Sequence, residues 1–438
     1  MSRHHLGHAL AVFLLLGGML GTSIALYQMM LGARFDIPGG FLRTSTIVLF
    51  AFLVALIVRY VLLLWFSYLN FLDAGNVAPS GDEPFVTVIV PAYNEGAVIQ
   101  SSIRSLLRLE YPRFEILVVD DGSTDDTYRR ASRYAGSHGP AEVRVLHQRN
   151  GGKAQALNTG IRNARGTLVL CMDGDSVLAP GTLRQAVRHF GEPAVGAVAG
   201  SVKVVNRTNA LARLQALEYI EGLNMVRQAQ AFFRAVNIIP GPIGIFRRSA
   251  LLEIGGYESD TFAEDCDLTL RLLSRGWQIK YEAGAIAYTE APERLLDLLK
   301  QRYRWTRGIL QAIRKHRRTL IDPRRSLTLT FTLWYMIFEG ILWPAMNVFA
   351  HALFVAVASH YGSSLALVVW WAQLAVLDLA AALYCVVVEE EGLSLVPYAL
   401  LYRVFFALTI DTAKLFATIE ELFQLRMDWG KLERIGRI

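Results

Sequence analysis

The sequence predicts an α/β domain with a mostly parallel sheet, inserted between transmembrane helices and bordered by amphipathic interface helices. Three observations predict it. The 438-residue chain is 53% hydrophobic and only 19% charged, with a mean hydropathy of +0.32, and its apolar excess lies at the two ends. Between those ends, short Val/Ile/Leu runs that stop at turn residues alternate with helical patterns, as in a sheet covered on both faces. Several of those runs end in acidic side chains, the place where such sheets bind ligands.

Residues 1–72 hold two apolar segments, 9–31 and 46–69, each longer than the ~20 residues a membrane helix needs. Arg59 interrupts the second and must face protein, a polar cavity or an interface. No small-residue cleavage site follows the first segment cleanly, so both read as retained anchors. DAGNVAPSGDEP (73–84) is a polar linker, and residues 85–291 form the soluble domain. Its repeated design is FVTVIVPAYNE (85–95), a helical pattern over 97–109, EILVVDDGSTDDT (115–127), VRVLHQ (143–148) and TLVLCMDGDS (167–176).

Residues 292–326 are amphipathic and basic, suited to an interface. Residues 327–388 then carry two more apolar segments, 327–358, bent at Pro344, and 364–388. In 389–438 the pattern is broken by Arg403, Asp411 and Lys414. Basic flanks at 317–325 and 431–437 both belong on the cytoplasmic side, and two crossings between them satisfy this where three do not. The expectation is four transmembrane helices, with 395–425 surface-lying or re-entrant and Glu389-Glu390-Glu391 cytoplasmic.

The net charge of +6 collects around 302–325, beside membrane segments. That favours lipid headgroups and a charged substrate over nucleic acid. Cys171, Cys266 and Cys385 have neither disulfide nor metal-ligand spacing and read as packing residues in a reduced compartment.

On a helix, Gln301, Arg304 and Trp305 share one face. An amide, a guanidinium and an indole suit a sugar attached to a diphosphate. The plainer reading is one turn of an amphipathic helix. Asp120-Asp121-Gly122-Ser123 offers carboxylates to a base N–H and a ribose hydroxyl, although Ser123, Thr124 and Asp125 read better as a turn capping a helix. Asp173-Gly174-Asp175 suits a hard divalent cation, or an ordinary turn. Lys153, in NGGKAQALNTG, opens a helix after two glycines and favours a phosphate, or is simply solvated. Glu264-Asp265-Cys266-Asp267 fits a helix start on dipole grounds and can also supply a general base.

Taken in order, PAYNE, VVDDGS, NGGKAQALN, DGDS, AEDCDL and QRYRW resemble the family-two, inverting, processive glycosyltransferases of the membrane. These include the synthases of cellulose, chitin oligosaccharides, hyaluronan and poly-N-acetylglucosamine, the last resembling this chain most in size and layout. The resemblance runs from about residue 85 to 310. It implies a GT-A-like domain in which Tyr93, Glu95 and Asp120 or Asp121 hold uridine. Lys153 and Asp173 meet the nucleotide sugar, and Asp175, with Asp173, holds Mg²⁺ or Mn²⁺.

The resemblance further implies that Asp265 is the base, with Ala263 where threonine is frequent. Gln301 and Arg304 clamp the diphosphate, and Trp305 supports the acceptor. The tail DWGKLERIGRI resembles a gating loop, with Trp429 and Lys431 over the nucleotide. The implied partners are a UDP-sugar donor (UDP-N-acetylglucosamine first), a growing polysaccharide, membrane lipid and room for a small membrane subunit, with no nucleic acid. The implied place is the plasma or inner membrane, crossed several times, with the catalytic domain cytoplasmic. Glu339, Asn347, Gln373 and Asp378 fall inside apolar segments. Either Glu339 and Asp378 line a polymer passage with Trp343 as a stacking surface, or they lock helices together. Single transfer to a lipid carrier is the nearest rival, and a non-catalytic nucleotide-binding receptor or transporter is a rival of another class.

Overall fold

The structure, a computed structural model, describes residues 40–74, 83–360 and 364–425, with isolated positions between 13 and 24. Most of the first apolar segment, most of the linker, and both Trp429 and Lys431 lie outside the described residues.

Nine strands form one sheet: β1 (Val86–Ala92), β2 (Phe114–Asp120), β3 (Gly136–His138), β4 (Ala141–His147), β5 (Leu168–Cys171), β6 (Val177–Leu178), β7 (Val195–Val204), β8 (Gly244–Arg247) and β9 (Gln278–Thr289). Their order is β3-β4-β2-β1-β5-β8-β7-β9-β6. Strands β4, β2, β1 and β5 run parallel, as does the long β7–β9 pair, so most of the paired length is parallel. The antiparallel β8 sits between β5 and β7. Every residue of β1, β2 and β7 is buried, which is why β1 and β2 read as mostly apolar runs without a polar face. Because β2 and β5 flank β1 on opposite sides, a crevice opens beyond their carboxyl ends, the switch point where such sheets bind ligands.

Helix α1 (Gly40–Ala74) leads into the domain, and α2 (Lys153–Asn163) follows β4. Helix α3 (210–232), with a π-helical turn at Tyr219–Asn224, lies along α1. Ser67 Oγ donates to Gln228 Oε1 at 3.1 Å, and Phe66 packs on Phe232 and Phe233. Next come α4 (Glu264–Ser274) and the 21-residue α5 (Leu295–Lys315). The chain ends in α6 (327–360), α7 (Ser364–Val388) and a helical run α8 (393–422).

Four helices among the described residues are long and apolar enough to cross a membrane: Ile47–Asp73, Leu327–Ser359, Trp370–Val388 and Leu393–Leu422. The last is the segment expected to lie on the surface or re-enter. One of its ends meets the soluble domain and the other meets α5. Before it, Arg207 NH1 donates to Glu391 Oε2 at 2.7 Å and Ser201 Oγ to Glu389 Oε2 at 3.1 Å. At its far end, Arg307 Nε donates to Glu421 Oε2 at 2.7 Å and Tyr303 bonds Glu420.

Charged groups inside the apolar helices are paired across helices. Arg59 forks onto Glu339 at 2.8 and 2.7 Å, and its guanidinium lies 4.9 Å from the Trp343 ring centre. Arg403 binds Asp378, Tyr60 donates to Glu221 at 2.7 Å, and Asn347 Nδ2 donates to Asp411 at 2.7 Å. Glu339 and Asp378 therefore lock helices together. Trp343 is buried against Arg59 and Phe52, so it offers no open stacking surface.

Candidate active site

The crevice beyond β1, β2 and β5 is a cleft of about 1010 Å³. Of the expected site residues, Tyr93, Glu95, Asp121, Lys153, Asp173, Asp175, Asp265, Gln301, Arg304 and Trp305 all line it. Asp120 does not: it is fully buried, and its Oδ2 takes a 2.7 Å bond with His147 Nδ1.

Two loops are stitched together beside the cleft. Asn94, after β1, adopts φ +54° and its Oδ1 accepts from the Thr124 amide at 2.8 Å, while its own amide donates to Ser123 Oγ at 2.9 Å. Asp121 turns inward. Its Oδ1 accepts from Gln148 Nε2 and the Gly151 amide at 2.7 and 3.0 Å, and Oδ2 accepts from the Gly152 amide at 2.7 Å. The Gly151 and Gly152 amides of the glycine turn are thus held by a carboxylate of the protein, which leaves Lys153 as the group of this segment that faces the cleft. Gly152, at φ +87°, suits glycine alone and starts α2 at Lys153.

Lys153 stands among three carboxylates of the cleft wall, Asp173, Glu264 and Asp265. Its Nζ contacts Asp173 Oδ1 at 2.7 Å and Glu264 Oε1 at 2.8 Å. Burial opposes its charge, but Asp173, Glu264 and Asp265 outweigh burial and raise its pKa. Asp265, in the first turn of α4, is partly exposed by surface yet densely surrounded by protein. Burial first, then Glu264, push its pKa up to about 6 against the pull of Lys153. Gly174 lets the Asp173–Asp175 turn pass β1, since a Cβ there would stand 2.6 Å from the Pro91 carbonyl oxygen. Asp173, Asp175, Glu264 and Asp265 carry more negative charge than Lys153 offsets, and all are hard oxygen donors. Of these, Asp173 and Asp175, one residue apart, supply the kind of oxygen donors that a Mg²⁺ or Mn²⁺ ion takes. A tighter acidic group, Glu258, Asp260 and Asp267, lies elsewhere, and Lys315 Nζ already contacts all three at 2.5–3.0 Å.

Helix α5 presents Gln301, Arg304 and Trp305 to the cleft, the face their spacing predicts. Its other residues anchor it. Buried Arg302 pairs with Glu218 and stacks 4.3 Å from the Trp305 ring centre, while Arg307 and Tyr303 hold α8. At Gly308 a Cβ would lie 2.6 Å from the Ala263 amide, so α5 touches the backbone that leads into Asp265.

Sequence reasoning passed over Glu264 as a partner of Lys153, and it passed over Gly241. A Cβ on Gly241 would meet Asp173 Oδ2 and Lys153 Nζ at 3.1 and 3.2 Å. The signal was present in Pro240-Gly241-Pro242, a turn inside an otherwise apolar run.

The model of the family described as "Glycosyltransferase like family 2" matches residues 83–308, more than half of the chain. The chain belongs to glycosyltransferase family 2. Among relatives, it is 32% identical over 260 residues to a poly-beta-1,6-N-acetyl-D-glucosamine synthase of Staphylococcus aureus, a match spanning 59% of this chain and 61% of that protein. It is 30% identical over 257 residues to the protein of the same description from Staphylococcus epidermidis, spanning 58% and 61%. Among solved structures, it is similar to a mannosyltransferase of Pyrobaculum calidifontis in complex with GDP-Man and Mn²⁺. The TM-score is 0.59 at 25% identity, covering 86% of this chain and 99% of that one. The family's GT-A-like fold is therefore the fold of residues 83–308.

Proposed function

We propose that this chain is a processive, inverting glycosyltransferase that polymerises N-acetylglucosamine from UDP-N-acetylglucosamine into a β-linked polysaccharide and passes it across the membrane. One observation carries the reading: a single cleft is lined by Lys153, Asp173, Asp175 and Asp265 on one side and Gln301, Arg304 and Trp305 on the other. The poly-N-acetylglucosamine synthases that match 59% of its length supply the choice of sugar.

The chemistry is a single displacement at the anomeric carbon. Asp265 takes the proton from the acceptor hydroxyl as that oxygen attacks. Lys153 and Arg304 offset charge developing on the UDP leaving group, and Gln301 orients its diphosphate. Lys153 must exchange its bonds to Asp173 and Glu264 for phosphate oxygens as donor enters. A divalent cation held by Asp175 and Asp173 would supply further positive charge at the diphosphate. Tyr93, Glu95 and Asp121 form the nucleoside end, and Trp305, backed by Arg302, supports the acceptor sugar.

For topology, contacts of the two ends of α8 with the segment after β7 and with α5 support α8 lying at or re-entering from the catalytic, cytoplasmic face of the membrane, which with the expected span over 9–31 gives four crossings. A helix that crossed would separate its ends by the ~30 Å hydrocarbon core.

Purified full-length protein, supplied with Mg²⁺ or Mn²⁺ and separate UDP-sugars, should convert UDP-N-acetylglucosamine into a polymer cut by β-1,6-N-acetylglucosamine hydrolases. Label recovered only in lipid-soluble material would replace this reading with single transfer to a lipid carrier. The likeness to a mannosyltransferase makes GDP-mannose the necessary second donor in that assay.

A further inference from the structure

Four arginines among the described residues are buried: Arg227, Arg302, Arg307 and Arg403. Three of them have a carboxylate, namely Glu218, Glu421 and Asp378. Arg227 has no ion pair among the described residues. It is 8% exposed, and its guanidinium makes two long bonds to neutral oxygens. Nε donates to the Ile238 carbonyl and NH1 to Asn224 Oδ1, both at 3.3 Å. A guanidinium carries five N–H donors, and its charge-assisted bonds normally close to about 2.7–2.9 Å. Two long contacts with neutral acceptors leave most of that capacity, and the buried charge, uncompensated.

Arg227 is also on the wall of the cleft. It stands on α3 just after the π-helical turn, and the Asp265 carboxylate is near enough to act on its charge. Burial depresses its pKa, with Tyr281 and Asp265 only partly opposing this. The same cleft is lined by Tyr219, Leu223, Ile238, Trp305 and Ile309, apolar and aromatic surface of the kind that covers a pyranose face. The phosphate-binding cations, Lys153 and Arg304, are separate groups of the same cleft.

We propose that Arg227 is a saccharide-binding residue, donating to oxygens on the terminal residue of the acceptor glycan beside Asp265. The inference rests on the glycosyl-transfer reading for its acceptor, and it adds a binding residue that no motif of the sequence marks. A neutral ligand suffices, because ring, hydroxyl and amide oxygens replace the missing short hydrogen bonds, while Asp265 balances the charge from a distance.

The test uses the full-length chain in lipid nanodiscs, with UDP-N-acetylglucosamine as donor and a β-1,6-linked N-acetylglucosamine tetrasaccharide as acceptor. Binding of UDP and of tetrasaccharide is measured separately from transfer. Arg227→Gln should raise the KM for tetrasaccharide by about tenfold or more, the scale of a lost hydrogen bond to a charged donor, and leave UDP binding within about twofold. Arg227→Lys keeps the charge and loses the fork. Its KM should fall between the two, and this variant decides the matter if the glutamine variant does not fold. A matching loss of UDP affinity would assign Arg227 to the leaving group and overturn the proposal. So would an unchanged acceptor KM with only a lowered melting temperature. Wild-type protein that binds tetrasaccharide without extending it sinks the transfer reading but leaves this one standing. Wild-type protein that binds UDP and no tetrasaccharide overturns it.

Discussion

The cleft and the membrane-side helix bundle both bury charge, but they balance it in opposite ways. In the bundle Arg59 and Arg403 each meet a carboxylate, Glu339 and Asp378, and the geometry is forked or short. In the cleft, Asp173, Glu264 and Asp265 crowd around the ammonium of Lys153, and Arg227 has no carboxylate partner among the described residues. Paired charge holds helices in register. Unpaired charge costs stability and is retained where a ligand completes the set, which is why the cleft is where chemistry is proposed.

The largest way to break this contrast is Asp265→Asn. Loss of the proposed base should reduce polymer formation by about 10²–10⁴-fold with donor binding retained, as measured by initial rates and UDP titration. The stability sign runs the other way. A carboxyl whose pKa is raised to about 6 binds its proton more tightly folded than unfolded. Its contribution is complete below the unfolded carboxylate value and is lost as pH rises through about 6. At pH 8 the wild type therefore carries an unfavourable buried charge, and Asp265→Asn should melt no lower than wild type. Wild-type polymerisation speed in this variant removes Asp265 from the mechanism.

Breaking a pair in the bundle comes next. Arg403→Leu leaves Asp378 buried without its cation and should cost about 3–5 kcal/mol of stability, seen as a large fall in melting temperature in detergent. Replacing Arg59 and Glu339 together by Met should cost far less than either single change. If the single and double variants melt alike, these pairs are not what holds the helices.

Much of the contrast was legible in the chain. The helical face of Gln301, Arg304 and Trp305 follows from spacing alone, because a helix puts i, i+3 and i+4 together whatever surrounds it. The acidic ends of β2 and β5 follow from where apolar runs stop. What could not be read is who partners whom across distance. Nothing in the sequence shows that the Gly151 and Gly152 amides, 30 and 31 residues further on, donate to Asp121. Glu339 and Asp378 look alike whether they line a passage or lock helices, since Arg59 lies 280 residues from Glu339. Arg227 has no local signature, because its meaning is the partner it lacks.

A smaller effect tests how the helix bearing Trp305 is set against Asp265. In Gly308→Ala the new methyl would stand 2.6 Å from the Ala263 amide, backbone that cannot swing aside. Overpacking of this kind costs about 1–3 kcal/mol, and the displacement reaches the first turn of α4. The expected result is a drop in kcat larger than any change in donor affinity. An unchanged kcat would mean that the two helices adjust independently.

The smallest effect, and the sharpest on electrostatics, is the acid limb of the pH–rate profile. Because burial and Glu264 raise Asp265, kcat/KM should fall on the acid side by about tenfold per unit as the base is protonated. Glu264 is the neighbouring charge that raises Asp265, so Glu264→Gln removes a repulsion and should move the limb to lower pH. The same change frees Lys153 from one of its two carboxylates, which should tighten rather than weaken donor phosphate binding. A limb that moves to higher pH would mean that Glu264 acts on Asp265 mainly by holding Lys153 in place, and the crowding of carboxylates would then be incidental to the base.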